Sequence, residues 1–291
     1  MQNRPVRSVL YMPASNERAL AKAETLPADA LILDLEDATA VSQKDNARAL
    51  LKAKLKKKPY GQKLVIIRVN SRCSDWYDDD LRMAVAAKAD VILVPKVDNA
   101  SDVSDILRDI DALNASKKMQ LWVMIETPMA LINLYEIAAL GPVSRLGGLV
   151  LGTNDLAKEM NIPLPSAERP DRIGFLTYFS NCILAARAYG LVVLDGVFND
   201  FNDAAGLEFE ALQAKQLGFD GKTLIHPKQI DKVNDVFAAS AEELAMAQKI
   251  IDAFALPENA DLGAITIDGK MIERLHVDMA KAMLEKAKYY G

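Results

Sequence analysis

Short apolar runs alternate with longer amphipathic stretches along most of the chain. Eight runs rich in Val, Ile and Leu stand out: SVLYM (8–12), LILDL (31–35), LVIIRVN (64–70), VILVPKV (91–97), LWVMIET (121–127), LGGLVLG (146–152), LVVLDGV (191–197) and KTLIHP (222–227). Near-continuous hydrophobicity marks strands that are buried on both faces, as in parallel sheets. The stretches between them, such as ERALAKAETL, DNARALLKAKLKKK, ALINLYEIAAL and FLTYFSNCILAARAYG, have helical periodicity, and several end at Gly or Pro. Eight β-then-α units predict an α/β protein, a closed (β/α)8 TIM barrel of about 230 residues. An open doubly wound sheet would want a Gly-rich turn after its first strand, and PASNER contains no glycine.

The pattern changes after the eighth run. SAEELAMAQKIIDAF reads as a helix, Asp268-Gly269 between β-prone residues reads as a hairpin turn, and a last helix closes the chain. The expected division is a catalytic barrel over residues 1–237 and a C-terminal extension over residues 238–291, packing on a neighbouring subunit.

Composition narrows the function classes. With 51% hydrophobic and 26% charged residues in 291, the chain suits a soluble globular protein with a large core. A net charge of −5, and no basic run beyond Lys56-Lys57-Lys58, offer nucleic acid no attraction. No run is long enough to span a bilayer, and Pro13 cuts short the only early apolar stretch, so a cytoplasmic location is expected, with no membrane partner. Cys73 and Cys182 lack CxxC spacing and neighbouring histidines, which argues against a disulfide framework or a zinc site.

Candidate chemistry lies at the strand ends, because active sites of such barrels form at the C-terminal face. There the chain places Asp34, Glu36 and Asp37, then Arg68 and Asn70, Lys96, Glu126, Asn154 and Asp155, Asp195, and His226. Converging carboxylates repel, and oxygen ligands select a hard ion such as Mg²⁺. Glu126 and Asp155 end neighbouring strands and suit Mg²⁺, which keeps several waters for a substrate to displace. With only His226 and His276 in the chain, a multi-histidine metal site is excluded. His226 in IHP is expected to lock a loop by hydrogen bonding, and His276 to be a packing or surface residue. Arg68 offers a bidentate fork to a substrate carboxylate or, alternatively, an ion pair to Glu36 or Asp37. Metal plus arginine would receive a 2-oxo acid and stabilise the charge that develops as a C–C bond is made or broken. No P-loop, dinucleotide fingerprint or nucleophile elbow competes.

In order, RSVLYMPASNERALAKAETLPADALILDLEDA, IIRVN, VPKV, IETP, GTNDLA, GFDGKTLIHPKQI and DGKMIE resemble the citrate lyase beta-subunit-like (CitE-like) branch of the HpcH/HpaI aldolase family. This branch includes malyl-CoA and citramalyl-CoA lyases. The resemblance implies a Mg²⁺-dependent carbon–carbon lyase or synthase, with Mn²⁺ as a substitute, that cleaves a 3-hydroxyacyl-CoA thioester into an acyl-CoA and a small 2-oxo acid. Glu126 and Asp155 would hold the metal, and Glu126 and Arg68 would meet the oxo acid. Glu36 and Asp37 would line the metal site as catalytic groups that position waters and substrate. Arg18 and Lys22, four apart on the first helix, resemble with Arg7 the family's site for the CoA phosphates. The tail would reach across a homotrimer or homohexamer and supply Glu273 as the acid or base at the acyl carbon.

Related lyases carry Asp at the position of Glu273. The extra methylene shifts the carboxylate by roughly a bond length, and a misplacement of about 1 Å can cost on the order of 100-fold in rate. The resemblance therefore implies the fold and metal site more directly than a thioester-hydrolysis step. Three alternatives stay open: a citrate lyase beta subunit acting on a citryl-carrier protein, a catalytically weakened CoA- and oxo-acid-binding protein, and an aldolase using free aldehydes.

Overall fold

A computed structural model describes residues 5–166, 170–259 and 261–289. Eight parallel strands close into a barrel in sequence order: β1 (Ser8–Pro13), β2 (Ala30–Asp34), β3 (Leu64–Arg68), β4 (Val91–Val94), β5 (Gln120–Ile125), β6 (Leu146–Leu151), β7 (Val192–Asp195) and β8 (Gly221–Leu224). The seam closes where Ser8, Val9 and Leu10 pair with Lys222, Thr223 and Leu224. All eight apolar runs became strands. Most strands stop short of the polar end of their run, because residues such as Glu126, Asn70 and Lys96 leave the ladder to form the mouth.

Helices fill the connections: α1 (Glu17–Lys22), α2 (Lys44–Leu55), α3 (Tyr77–Ala86), α4 (Ala100–Ala112), the short pair α5 (Pro128–Ile132) and α6 (Leu134–Ala138), α7 (Thr153–Met160), α8 (Leu176–Tyr189), α9 (Ala204–Leu217) and α10 (Ile230–Phe237). Several start on legible caps. Asn16 accepts from Ala19 N, Asn99 and Asp102 form a capping box, and Thr127 caps α5 ahead of Pro128.

Strand alternation decides what the barrel encloses. Val9, Ala30, Ile32, Leu64, Ile66, Val91, Leu93, Trp122, Met124, Val150 and Leu194 belong to one buried cluster. The Trp122 indole fits because β6 has Gly148 opposite it, where a Cβ would lie 2.8 Å from the ring. Continuing the same parity by two residues leads from Ile32 to Asp34, from Ile66 to Arg68 and from Met124 to Glu126. The interior phase therefore ends in charged groups at the mouth.

A second compact unit begins at Phe237. It contains α11 (Ala241–Ala255), a hairpin of β9 (Ala264–Ile267) and β10 (Lys270–Glu273), and α12 (Arg274–Ala287). Its core is Ala247, Ile250, Phe254, Ile267, Ile272 and Ala280. Asp268 and Gly269 turn the hairpin with φ of 50° and 75°, the two positive values that a tight type I′ turn requires. Among the described residues no helix is long and apolar enough to cross a membrane.

Candidate active site

The turn after β2 is organised by Asp34, which is completely buried. Its carboxylate accepts from Glu36 N and Ala38 N, both at 2.9 Å, and from Arg68 Nε and Nη2 at 2.7 and 2.6 Å. Thr39 adds a hydroxyl donation to the Asp34 carbonyl at 2.7 Å. Four donors, two of them from a guanidinium, satisfy a charge that could not otherwise be buried.

Arg68 thus has its bidentate edge filled by Asp34. Its Nη1 lies 2.9 Å from Glu36 and 3.6 Å from the exposed Asp37, and its guanidinium sits 4.9 Å from the Tyr11 ring centroid. The ion-pair alternative describes Arg68 as it stands, with one correction: its strongest partner is Asp34, more than Glu36 or Asp37.

Glu36 is 6% exposed and sits between two cations, Arg68 and the Lys96 ammonium at 3.1 Å. Burial nevertheless raises its pKa, against the pull of Arg68. Lys96 binds the site twice, since its backbone N–H also donates to Glu126 Oε1 at 2.7 Å. Its backbone is left-handed, with φ of 54° at a non-glycine residue.

Glu126 is 2% exposed, and its pKa is pushed up to about 8 by burial first, then by the negative charge of Glu36. Asp155 adds to that push, while the Lys96 N–H opposes it. Room for Glu126 comes from Gly152, where a Cβ would stand 2.4 Å from the Glu126 Cβ and 2.6 Å from its Oε2. Asp155 lies in the first turn of α7, half-buried, and its carboxylate has no hydrogen-bond or ion-pair partner among the described residues. A buried carboxylate and an unpartnered one repelling each other are a donor set that fits a hard cation. No group of three His, Cys, Asp or Glu residues among the described residues could hold a metal. The mouth offers two carboxylates, Glu126 and Asp155.

Other expected site residues fall elsewhere. Arg7 precedes β1, at the N-terminal end of the barrel, and grips Asp29 through Nε and Nη2 at 2.9 and 2.8 Å. Grouping it with Arg18 and Lys22 is corrected: those two lie on α1, past the C-terminal end of β1, a full strand length away. Arg18 and Lys22 are exposed. Glu273 ends β10 in the second unit, where its N–H donates to His276 Nδ1 at 3.0 Å. His226 does lock its loop, its Nδ1 accepting from Lys228 N at 3.2 Å.

Asp195 is also corrected. Although it ends a strand, it faces away from the barrel interior and is fully buried between Lys222 Nζ at 2.7 Å and Arg172 Nη1 at 2.8 Å. Its pKa is lowered, Arg172 and Lys222 outweighing burial. Glu210 completes this network, 3.0 Å from Lys222. Sequence reasoning passed over Lys44 as well, whose buried ammonium binds the carbonyls of Leu35 and Glu36 and the side chain of Asn70. Residues off the strands, such as Lys44 and Glu210 on helices and Arg172 in the loop before α8, give no strand-end signal, although a Lys inside an apolar strand at position 222 was a cue to buried pairing.

Three comparisons bear on this geometry. The family model of HpcH/HpaI aldolase/citrate lyase matches residues 7–227. The chain is 46% identical over 290 residues to a (3S)-malyl-CoA thioesterase of Cereibacter sphaeroides, covering 99% of this chain and 96% of the other. It is 33% identical to citrate lyase subunit beta of Escherichia coli, over 100% and 96% of the two chains. Among solved structures, CitE from Mycobacterium tuberculosis in complex with magnesium, acetoacetate and coenzyme A superposes with a TM-score of 0.78. That pair is 28% identical, with 98% and 99% of the two chains covered.

Proposed function

Because this chain belongs to the HpcH/HpaI aldolase/citrate lyase family, we propose that it is a Mg²⁺-dependent carbon–carbon lyase acting on a malyl-CoA or citramalyl-CoA type thioester. The observation that carries this reading is the Glu126–Asp155 pair at the barrel mouth, two carboxylates with no ion-pair partner among the described residues, beside Arg68 and Glu36. Glu126 and Asp155 would hold Mg²⁺, which when bound would stabilise negative charge developing on the oxo-acid oxygens. The magnesium, acetoacetate and coenzyme A bound to the M. tuberculosis protein support the same ligand set here.

The chain's own residues would do the rest. Arg68 Nη1 would receive the substrate carboxylate. Glu36, whose affinity for a proton is raised, would take the proton of the 3-hydroxyl; the C–C electron pair would pass to the carbon next to the thioester. That carbon would then be protonated, with Glu273 of a neighbouring subunit as the donor in a trimer or hexamer. Arg18 and Lys22 would meet CoA phosphates.

A second reading, hydrolysis of the thioester, is favoured by the 46% identity to a malyl-CoA thioesterase across nearly the whole chain. The same pocket would then hold the substrate while water attacks its thioester carbonyl. Product analysis separates the two. With (3S)-malyl-CoA and Mg²⁺, the lyase yields acetyl-CoA and glyoxylate, and the hydrolase yields malate and free CoA. Neither pair of products would contradict both.

A further inference from the structure

The end of the barrel opposite the mouth carries a basic cavity. It measures about 480 Å³ and opens between the C-terminal ends of α2 and α3, where the chain turns into β3 and β4. Leu55, Tyr60, Val65 and Ala89 give it apolar lining, and Lys52, Lys56, Lys58, Lys63 and Lys88 bring five lysines to it. Asp90 is the only acid among its lining residues, and that carboxylate accepts from Val65 N at 2.9 Å. Lys63 donates to the Glu24 carbonyl at 2.9 Å, while the Glu24 carboxylate is taken by Lys54. Lys52, Lys56, Lys58 and Lys88 have no carboxylate partner among the described residues, in a chain whose net charge is −5.

Lysines near a helix C-terminus complement the partial negative charge there, which accounts for Lys52 and Lys54 in the last turn of α2. It does not account for the backbone. Lys58 closes the turn after α2 with φ of 48°, and Lys88 follows α3 with φ of 57°. Side chains other than those of glycine and asparagine are disfavoured in that left-handed region. After α4, α7, α8 and α9 the same conformation falls on Asn114, Asn161, Gly190 and Gly218. Among the described residues, the two helix ends that place a lysine there are the two that meet at this cavity. Like charges are thus gathered where both repulsion and backbone strain oppose them.

We propose that this cavity binds a small anion carrying two or more linked phosphates. Ammonium groups engage phosphate as point charges, and no arginine is among the lining residues to select a planar carboxylate. Four lysines without counter-charge match a di- or triphosphate better than a monovalent anion. The volume is that of a small-molecule site rather than of a groove for a partner's helix. Strands β3 and β4 separate the cavity from the mouth by roughly 15 Å, so this site does not rest on the reaction proposed above.

The test is calorimetric titration of the full chain, free of divalent metal, with inorganic triphosphate, adenosine triphosphate and sulfate at matched ionic strength. Wild type is expected to bind triphosphate at one site per chain, at least about 10-fold more tightly than sulfate. Tighter binding of the nucleotide than of triphosphate supports the site with an organic polyphosphate as its occupant, and the reverse order supports it with an inorganic one. The double variant Lys58→Gly, Lys88→Gly relieves both backbones, so without ligand it is expected to melt about 2 °C or more higher, yet to bind triphosphate about 10-fold or more weakly. Lys52→Gln, in a regular helical turn, is expected to weaken binding without that gain, and Lys22→Ala, at the mouth, to leave it unchanged. Triphosphate bound no better than sulfate, bound with wild-type affinity by the double variant, or lost in Lys22→Ala would overturn the site.

Discussion

Glu126 concentrates the electrostatics of the mouth: buried, beside Glu36 and Asp155, with the Lys96 backbone N–H and the more distant charge of Arg68 offsetting only part of that burden. Its raised pKa fixes a sign. In the metal-free protein the folded state holds a proton that the unfolded chain releases near pH 4.5, so stability falls as pH rises from about 5 through about 8. Mg²⁺ must displace that proton. Its affinity is expected to rise by up to tenfold per pH unit until about pH 8 and then level off, which titration at several pH values would check. Glu126→Gln should abolish the metal dependence and lower kcat/KM by on the order of 100-fold or more.

Part of this was readable residue by residue. Glu126 and Arg68 fall on the interior phase of their strands, so counting in twos from Met124 and Ile66 finds them. The partners of Asp34 were hidden, since its four donors come from a turn and from a strand 34 positions on. The double grip of Lys96 was hidden too, because it needs a left-handed backbone that nothing about a lysine announces.

Elements position these residues, and two substitutions probe how. Gly152 lies just beyond β6, and its missing side chain admits the Glu126 carboxylate. Gly152→Ala should push Glu126 aside, costing about 1–3 kcal/mol and most of the activity, as thermal melts and rate measurements would register together. On the other face of the sheet, Lys222 of β8 joins Asp195 of β7 to Glu210 of α9. Lys222→Met should destabilise by about 3–5 kcal/mol, because it leaves buried carboxylates unbalanced, with little effect on KM. The strands themselves were legible because both their faces are apolar. The ion network between sheet and helices was not, since Arg172, Asp195, Glu210 and Lys222 meet only after the barrel closes.

At the scale of the whole molecule, closure of the barrel brings strands two through six into one charged mouth and strands seven, eight and one into an aromatic and basic edge. The second unit leaves Met271, Leu275 and Met279 at 70%, 53% and 62% exposed in the single chain. Those residues suit burial by another subunit, consistent with the proposed trimer or hexamer. Light scattering is expected to give a multiple of three, and deletion of residues 238–291 should lower both the assembly state and kcat. The Glu126–Asp155 pair is tested most directly by Mg²⁺ titration by calorimetry at pH 8 on wild type, Glu126→Gln and Asp155→Asn, each verified as folded. One magnesium per chain in wild type and none in either variant is the predicted result; undiminished binding in both variants would contradict it.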